Sequence, residues 1–302
     1  MSNTVLNLPS PVHTVEFAPG FYVDIKRDDL INEVISGNKW RKLKYHIQSA
    51  KNNNYDTILT FGGAYSNLLP AAALGCRLFG LNAIAIVRGE HVDLNNPTLK
   101  FSIENGMQIV KMSKTEFLHR NEEDFIAKLK NRYPNAYIVP EGGAGFDGVK
   151  GAMEILNEVD KEYDIITCTV GTGATAAGLY LSKPKTTELY CFNVFKNTNN
   201  IFPLLKQQIN CVQKESLFDN LIINNDYGFN GFAKINSELV AFVKNFFDRT
   251  GIQLDYVYNG KMFFGLTQMI KNNEIKTNKK ILIYHCGGVQ GNDGFVNRGL
   301  IK

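Results

Sequence analysis

Short runs of apolar residues alternate along most of the chain with longer segments in which apolar side chains recur every three or four residues. The short runs have the length and composition of buried strands, and the longer segments have the periodicity of amphipathic helices. The first half predicts strands at 57–61, 83–87, 108–112 and 137–140, and helices at 39–53, 66–79, 98–104 and 122–131. Strands that alternate with helices predict a parallel sheet with helical crossovers.

The alternation starts again after the glycine-rich segment 141–145. The second half predicts strands at 165–170, 189–195 and 281–284, and helices at 147–159, 173–181, 200–210, 237–249 and 260–271; segment 21–27 is predicted to be an edge strand. Two units fit this pattern better than one continuous sheet. We therefore predict an α/β fold with two three-layer domains and mostly parallel sheets. Ligands bind such sheets at the carboxyl ends of the strands, so the glycine turns at Gly62 and Gly171 are expected to face a shared cleft.

The segment SGNKWRKLKY, at 36–45, places Lys39 between a Gly-Asn turn and a helical run. Because Trp40, Leu43 and Ile47 follow at helix spacing, the amine is expected at the mouth of a helix. Partial desolvation there would favour the neutral amine, which is a nucleophile toward a carbonyl. An ordinary solvent-exposed lysine is the alternative interpretation.

A second glycine-rich stretch, TCTVGTGATAAGL at 167–179, follows an apolar strand and leads into a helix. Backbone amides and the positive end of a helix dipole then point to one place, which suits a phosphate. The glycine spacing does not fit a dinucleotide fingerprint, and no Lys-Ser/Thr pair follows for a Walker A loop. Three interpretations of the stretch remain: it binds a phosphorylated cofactor, it binds a sugar phosphate, or it only packs the helix tightly against the strand. Together with Lys39, the stretch suggests pyridoxal phosphate, which needs an amine for its aldehyde and an anion site for its phosphate.

The composition indicates which classes of partner the protein can bind. The 302-residue chain is 44% hydrophobic and 21% charged, with a net charge of +4 and scattered basic residues. These values favour a globular protein and give no nucleic-acid footprint. No apolar run approaches the roughly 20 residues of a membrane helix, and residues 1–11 do not have the pattern of a signal peptide. The five cysteines form no CxxC pair, so we expect free thiols in the cytoplasm and no metal site.

Six motifs in collinear order resemble one enzyme family. Besides SGNKWRKLKY, they are FGGAYSN at 61–67, GTGAT at 171–175, DYGF at 226–229, VYNGK at 257–261 and HCGG at 285–288. This set resembles the 1-aminocyclopropane-1-carboxylate deaminase and D-cysteine desulfhydrase family, which are pyridoxal-phosphate enzymes of the tryptophan-synthase-β fold type. The resemblance implies a larger domain of residues 1–50 and 142–302, a smaller inserted domain of residues 51–141, and the cofactor in the cleft between them.

The resemblance also implies roles for single residues. Lys39 matches the lysine that binds the cofactor aldehyde, and Asn67 matches the asparagine that hydrogen-bonds the ring hydroxyl. Ser66 matches a serine beside the substrate carboxylate, although it could instead cap the following helix. Tyr227 and Tyr258 match two tyrosines on the substrate side of the ring, although either could be ordinary packing. The phosphate loop matches Gly171, Thr172, Gly173, Ala174 and Thr175.

Three departures bear on the substrate. Members that act on aminocyclopropane carboxylate have Glu where this chain has Asn259 and Leu where it has Cys286. Desulfhydrase-type members have small polar residues there, and an amide or thiol beside the ring nitrogen would make the ring a weaker electron sink than a carboxylate would. The third departure is Leu68, which replaces a family histidine.

We therefore predict a lyase that eliminates a β-substituent from a small amino acid and deaminates it, with D-cysteine as the best single candidate. Deamination of 1-aminocyclopropane-1-carboxylate is the second hypothesis. A catalytically silent binder of cofactor or amino acid, motivated by Leu68, is the third, and a plain phosphate-binding α/β protein is the last. A homodimer is expected because symmetric dimers are the commonest soluble oligomers.

Overall fold

A computed structural model describes residues 6–196, 199–214 and 217–301. The strands are β1 Val12–Ala18, β2 Phe21–Arg27, β3 Thr57–Gly62, β4 Asn82–Arg88, β5 Met107–Met112, β6 Ala136–Val139, β7 Ile165–Val170, β8 Glu188–Asn193, β9 Leu221–Asn224 and β10 Ile281–His285. The helices are α1 Asn38–Asn52, α2 Leu68–Phe79, α3 Pro97–Glu104, α4 Lys114–Leu118, α5 Glu123–Arg132, α6 Phe146–Met153, α7 Ala174–Ser182, α8 Ile201–Asn210, α9 Ser237–Thr250, α10 Asn259–Lys271 and α11 Asp293–Val296. The described part of the chain contains no helix long and apolar enough to span a membrane.

The strands form two sheets, which confirms the predicted α/β fold class. The larger sheet has the order β1-β2-β10-β7-β8-β9, and the smaller one has the order β5-β4-β3-β6. Every pair is parallel except β1 with β2. The smaller sheet contains all strands between residues 57 and 139, so its strands coincide with the predicted inserted segment. The domain boundaries at 51 and 141 remain a prediction.

Helix α1 links the two sheets. Its apolar side chains Trp40, Leu43 and Ile47 belong to the hydrophobic core that covers one face of the smaller sheet. Its opposite side packs on α6, where a methyl group at Gly151 would lie only 1.9 Å from the Arg41 carbonyl oxygen. The Arg41 side chain is buried and forms ion pairs with Asp28, at 2.9 Å, and Glu158, at 2.5 Å. Lys39 is therefore carried by a helix that is fixed on both sides.

The prediction of an edge strand at 21–27 was wrong. Strand β1, which the pattern did not reveal, pairs with β2 antiparallel and forms the edge itself. The charged residues of β2 suggested exposure, but Asp24, Lys26 and Arg27 are buried. Lys26 donates to the Ser10 carbonyl and pairs with Glu158, so its charge is satisfied inside the protein.

Two further differences concern short elements. Strand β9 and helix α4 were not predicted, because four or five residues give too little periodicity to detect. The helix predicted at 147–159 ends at Met153 and continues as a 3₁₀ helix, Glu154–Glu158.

Candidate active site

The amino end of α1 lies against the carboxyl end of β10. Gly37, with φ of 62°, precedes the helix, and the Asn38 amide donates to the Cys286 carbonyl at 3.1 Å. A methyl group at Gly37 would lie 1.9 Å from that carbonyl oxygen, so only glycine allows this approach. Lys39 is thereby placed one residue inside the helix, at the carboxyl edge of the larger sheet.

Lys39 is partly buried, and burial lowers the pKa of its amine. The nearby Cys286 and Asp255 oppose this shift only in part. Its Nζ donates to Asn38 Oδ1 at 2.9 Å, and Asn38 Nδ2 donates to Thr175 Oγ1 at 2.9 Å. The structure therefore joins the predicted lysine to the predicted phosphate loop through one amide side chain.

The phosphate loop connects β7 to α7. Gly173 adopts a left-handed conformation, with φ of 84°, immediately before the helix, and Ala174 and Thr175 form its buried first turn. The amides at this helix end have no intrahelical acceptor. Thr172 Oγ1 is buried and has no hydrogen-bond partner among the described residues. A buried, unpartnered donor beside free amides is the arrangement that an anion would satisfy.

Lys42 was not predicted, and it places a buried amine near this loop. It is 3% exposed, and its Nζ donates to the Gly142 carbonyl at 3.0 Å. A methyl group at Gly142 would in turn lie 2.9 Å from Thr172 Oγ1. Burial, and then the neighbouring Lys39, hold the pKa of Lys42 well below its ordinary value. A lysine three residues after another on a helix resembles a solvent-exposed pair, so the pattern gave no signal for it.

Asn259 connects the start of α10 to the loop after β10. Its Nδ2 donates to Asp255 Oδ1, at 2.6 Å, and to the Gly287 carbonyl, at 2.9 Å, while its Oδ1 accepts from the Cys286 amide at 3.1 Å. Asp255 also accepts three backbone amides, those of Val257, Tyr258 and Asn259. Asp255 was likewise missed, because an acidic residue before a helix is normally read only as a cap.

The Cys286 thiol is buried beside these groups. Burial raises its pKa to about 12, so the thiol is neutral at physiological pH. Its Sγ lies 3.8 Å from Thr169 Oγ1, and Lys39 acts on it electrostatically. Cys286 bonds the first residue of the lysine-bearing helix and also bonds Asn259, and neither departure residue carries a charge.

The amino end of α2, from the smaller sheet, reaches the same loop. Asn67 Nδ2 donates to the Gly288 carbonyl at 3.3 Å. Ser66 Oγ accepts from the Leu68 amide at 3.4 Å, but the N-cap residue of α2 is Asn67, and its side chain makes no capping hydrogen bond. Leu68 is fully buried in the hydrophobic core, so it packs with apolar side chains. The predicted roles of Ser66 and Asn67 toward ligands stay predictions.

The two predicted tyrosines lie in different surroundings. A methyl group at Gly171 would lie 3.3 Å from the Tyr258 ring, and the pKa of Tyr258 is raised by burial and then by Asp255 and Cys286. The Tyr227 ring instead contacts Phe192 and Phe264. The structure thus places Tyr258 with the site and Tyr227 with the hydrophobic core beside α10. The substrate-facing role of Tyr227 stays a prediction, and its contacts do not support it.

The aromatic partner of Tyr258 is Phe232, which the motifs did not single out. Its ring centroid lies 5.8 Å from that of Tyr258, at an interplanar angle of 70°. It follows DYGF by three residues, and a single phenylalanine in a loop carries no signal that separates it from surface packing.

These residues fit pyridoxal phosphate in chemical type. The loop offers free amides and the unpartnered Thr172 hydroxyl to a phosphate, Lys42 offers a buried amine that can donate hydrogen bonds, and Lys39 offers an amine of lowered pKa. A family profile described as "Pyridoxal-phosphate dependent enzyme" matches residues 7–287. The chain belongs to this family. The cofactor prediction is thereby confirmed, and the protein is a pyridoxal-phosphate-dependent enzyme.

Relatives agree with the finer resemblance. A Pyrococcus abyssi protein named "Putative 1-aminocyclopropane-1-carboxylate deaminase" is 32% identical over 90% of this chain and 86% of its own length. The "Bifunctional D-cysteine desulfhydrase/1-aminocyclopropane-1-carboxylate deaminase, mitochondrial" of Arabidopsis thaliana is 28% identical over 95% of this chain and 78% of its own. A crystal structure of an ACC deaminase homologue superposes with a TM-score of 0.81 at 28% identity, over 97% of this chain and 94% of that one. The predicted resemblance to the deaminase and desulfhydrase family is therefore confirmed.

Proposed function

We propose that this pyridoxal-phosphate-dependent enzyme is a lyase that removes a β-substituent and the amino group from a small amino acid, with D-cysteine as substrate. The observation that carries the choice is the uncharged pair Asn259 and Cys286 beside Lys39. The Asn259 amide nitrogen already donates to Asp255 and Gly287. Burial raises the pKa of the Cys286 thiol to about 12. Neither residue can supply an anion to hold a ring nitrogen protonated, and the neighbouring Asp255 carboxylate already accepts Asn259 Nδ2 and three backbone amides. A weak electron sink of this kind suits a substrate that already has a good leaving group.

The chain's own residues divide the remaining tasks. When bound, pyridoxal phosphate supplies an electron sink for the substrate's α-carbon. Lys42 and the amides of residues 171–175 would hold its phosphate, and Lys39 would hold its aldehyde. The Lys39 amine, whose pKa is lowered by burial, would also be the base that takes the substrate's α-proton. The β-substituent then leaves with its bonding electrons, and hydrolysis gives an oxo acid and ammonia.

Tyr258 is, after Lys39, the second proposed catalytic group of the site. Burial raises its pKa, so its phenol stays protonated and can donate a hydrogen bond or a proton but not act as a base. Asn67, on the opposite side, reaches the loop after β10 and would hold the ring hydroxyl. Ser66 would add a hydroxyl for the substrate carboxylate near the amino end of α2.

Deamination of 1-aminocyclopropane-1-carboxylate is the second candidate, because the relatives at 32% and 34% identity carry that name. A silent binder is the third, because the buried apolar Leu68 stands where the family has histidine. The inserted domain of residues 51–141, a homodimer and a cytoplasmic location remain part of the proposal.

Product analysis separates the candidates. The purified enzyme, saturated with pyridoxal phosphate, is incubated with D-cysteine, L-cysteine, β-chloro-D-alanine and 1-aminocyclopropane-1-carboxylate. We expect pyruvate and sulfide from D-cysteine, at a higher kcat/KM than any 2-oxobutyrate from the cyclopropane substrate. Lys39→Ala should abolish turnover. Replacing Lys44, a partly exposed lysine of the same helix that pairs with Glu154, by alanine should not. Faster release of 2-oxobutyrate would favour the second candidate, and a spectral change without product would favour the third.

A further inference from the structure

The loop between β9 and α9 covers Tyr258. Phe232, at its centre, contacts the Tyr258 ring edge-on and stacks on Phe195 with ring centroids 5.7 Å apart. Phe195 follows β8 at the carboxyl edge of the sheet, the edge that also carries the phosphate loop. Phe232 is 47% exposed, so the same ring contacts both Tyr258 and solvent.

The backbone of this loop is strained. Phe229, Asn230 and Ala233 have φ of 51°, 63° and 54°, and Gly231 has φ of 124°. Three residues with side chains in the left-handed region within five positions is a rare arrangement, which persists only when the surroundings hold it. Something outside the loop must therefore maintain the conformation that presents Phe232.

Lys261, in the first turn of α10, makes the contacts that hold it. Its Nζ donates to the carbonyls of Gly228, at 2.9 Å, and Gly231, at 2.7 Å. The side chain is 1% exposed and has no ion pair among the described residues. Burial lowers its pKa to about 8, and Asp255 only partly opposes this.

A buried lysine without a carboxylate partner is unfavourable for folding. Only a long side chain with a hydrogen-bond donor at its end can make the two hydrogen bonds to the strained loop.

We propose that Lys261 is a positioning residue, which holds the strained turn 228–233 so that Phe232 closes the Tyr258 side of the site and selects the substrate. This inference rests on the proposed function, because it takes Tyr258 to line the substrate side. An aromatic ring at that place favours amino acids with a small uncharged β-substituent over those that end in a charge, since a charge would lose its hydration against the ring.

The test uses two variants and a matched control. Lys261→Met keeps the length of the side chain and removes the donors, and Phe232→Ala removes the ring. Lys271→Met, at the exposed end of the same helix, is the control. We expect Lys261→Met to raise KM for β-chloro-D-alanine about tenfold with kcat within twofold. The ratio of kcat/KM for β-chloro-D-alanine to kcat/KM for S-carboxymethyl-D-cysteine should also fall about tenfold.

Two signatures separate positioning from general destabilisation. Because Lys261 acts through Phe232, the double variant should be no worse than either single variant. Hydrogen exchange of amides 228–233 should rise in Lys261→Met and not in Lys271→Met, whether or not the enzyme turns over. Unchanged KM and substrate preference in Phe232→Ala, or unchanged exchange of this turn in Lys261→Met, would overturn the inference.

A failure of the proposed function is distinguishable from a failure of this inference. If the wild type binds amino acids without turnover, the same comparison is made on Kd from spectral titration of the bound cofactor. If Lys261→Met does not fold, Phe232→Ala decides the result, because a half-exposed ring can be removed without loss of the core.

Discussion

Replacing Gly37 by alanine tests the contact that places Lys39. Gly37 has φ of 62° and ψ of −145°, which is close to a region that only glycine adopts readily. An added methyl group would lie 1.9 Å from the Cys286 carbonyl oxygen and 2.7 Å from the Gly287 amide nitrogen. Both atoms belong to the backbone, so the start of α1 and the loop after β10 must separate.

The expected loss of stability has two sources: the backbone conformation that alanine must adopt, and the hydrogen bonds that weaken when the two segments separate. Ordinary contact begins near 3.4 Å, so the two segments must separate by about 1.5 Å. The backbone conformation costs an alanine about 1–3 kcal/mol. Separation also weakens two hydrogen bonds, from the Asn38 amide to Cys286 and from the Gly37 amide to Asp28, each worth about 1 kcal/mol. We expect a loss of about 3–5 kcal/mol in the free energy of unfolding.

Gly80 is the matched control. It caps α2 with φ of 70°, and an added methyl group there would have no atom within 4 Å. Gly80→Ala should therefore cost only the left-handed conformation, about 1 kcal/mol. Urea unfolding followed by circular dichroism gives both free energies, and the absorbance of bound cofactor reports whether Lys39 still reacts. Equal stability of the two variants, with full cofactor binding by Gly37→Ala, would refute the reasoning.

Three further changes test charged groups. Lys42→Met removes the buried amine near the phosphate loop and should weaken cofactor affinity about 10- to 100-fold by equilibrium dialysis; unchanged affinity would contradict this role. Burial lowers the pKa of His46 to about 4, so the wild type should lose up to about 3 kcal/mol more than His46→Gln between pH 6.5 and 4, because the unfolded imidazole takes up the proton first. If the free energy of unfolding of the two proteins fell equally between pH 6.5 and 4, this explanation of the His46 effect would be wrong. Arg41→Met leaves Asp28 and Glu158 without their shared cation and should cost about 3–5 kcal/mol in urea unfolding; a loss below about 1 kcal/mol would show that other partners suffice.

Long periodic segments made most of the fold predictable from sequence. Strands such as β3, β4 and β7 are continuous apolar runs because parallel strands are buried on both faces. Strand β1 has only one buried position and follows no such rule. Strand β2 was mistaken for an edge because its charges are paired with residues distant in sequence, such as Lys26 with Glu158.

The site was predictable where a motif constrains the backbone. Lys39 and the 171–175 loop stand at the ends of elements, and Asn38 joins them in the structure. Lys42 and Lys261 could not be found this way, since their burial depends on which carbonyls the fold brings to them. Phe232 was missed for the same reason, because its contact with Tyr258 is made between distant segments.

The most direct test of the account is the position of the covalent link between cofactor and chain. The enzyme with bound pyridoxal phosphate is reduced with borohydride, digested, and mapped by mass spectrometry. The account predicts the reduced pyridoxyl group on Lys39, and none at any lysine in Lys39→Ala. Labelling of Lys42, Lys261 or another lysine in the wild type would contradict the central claim.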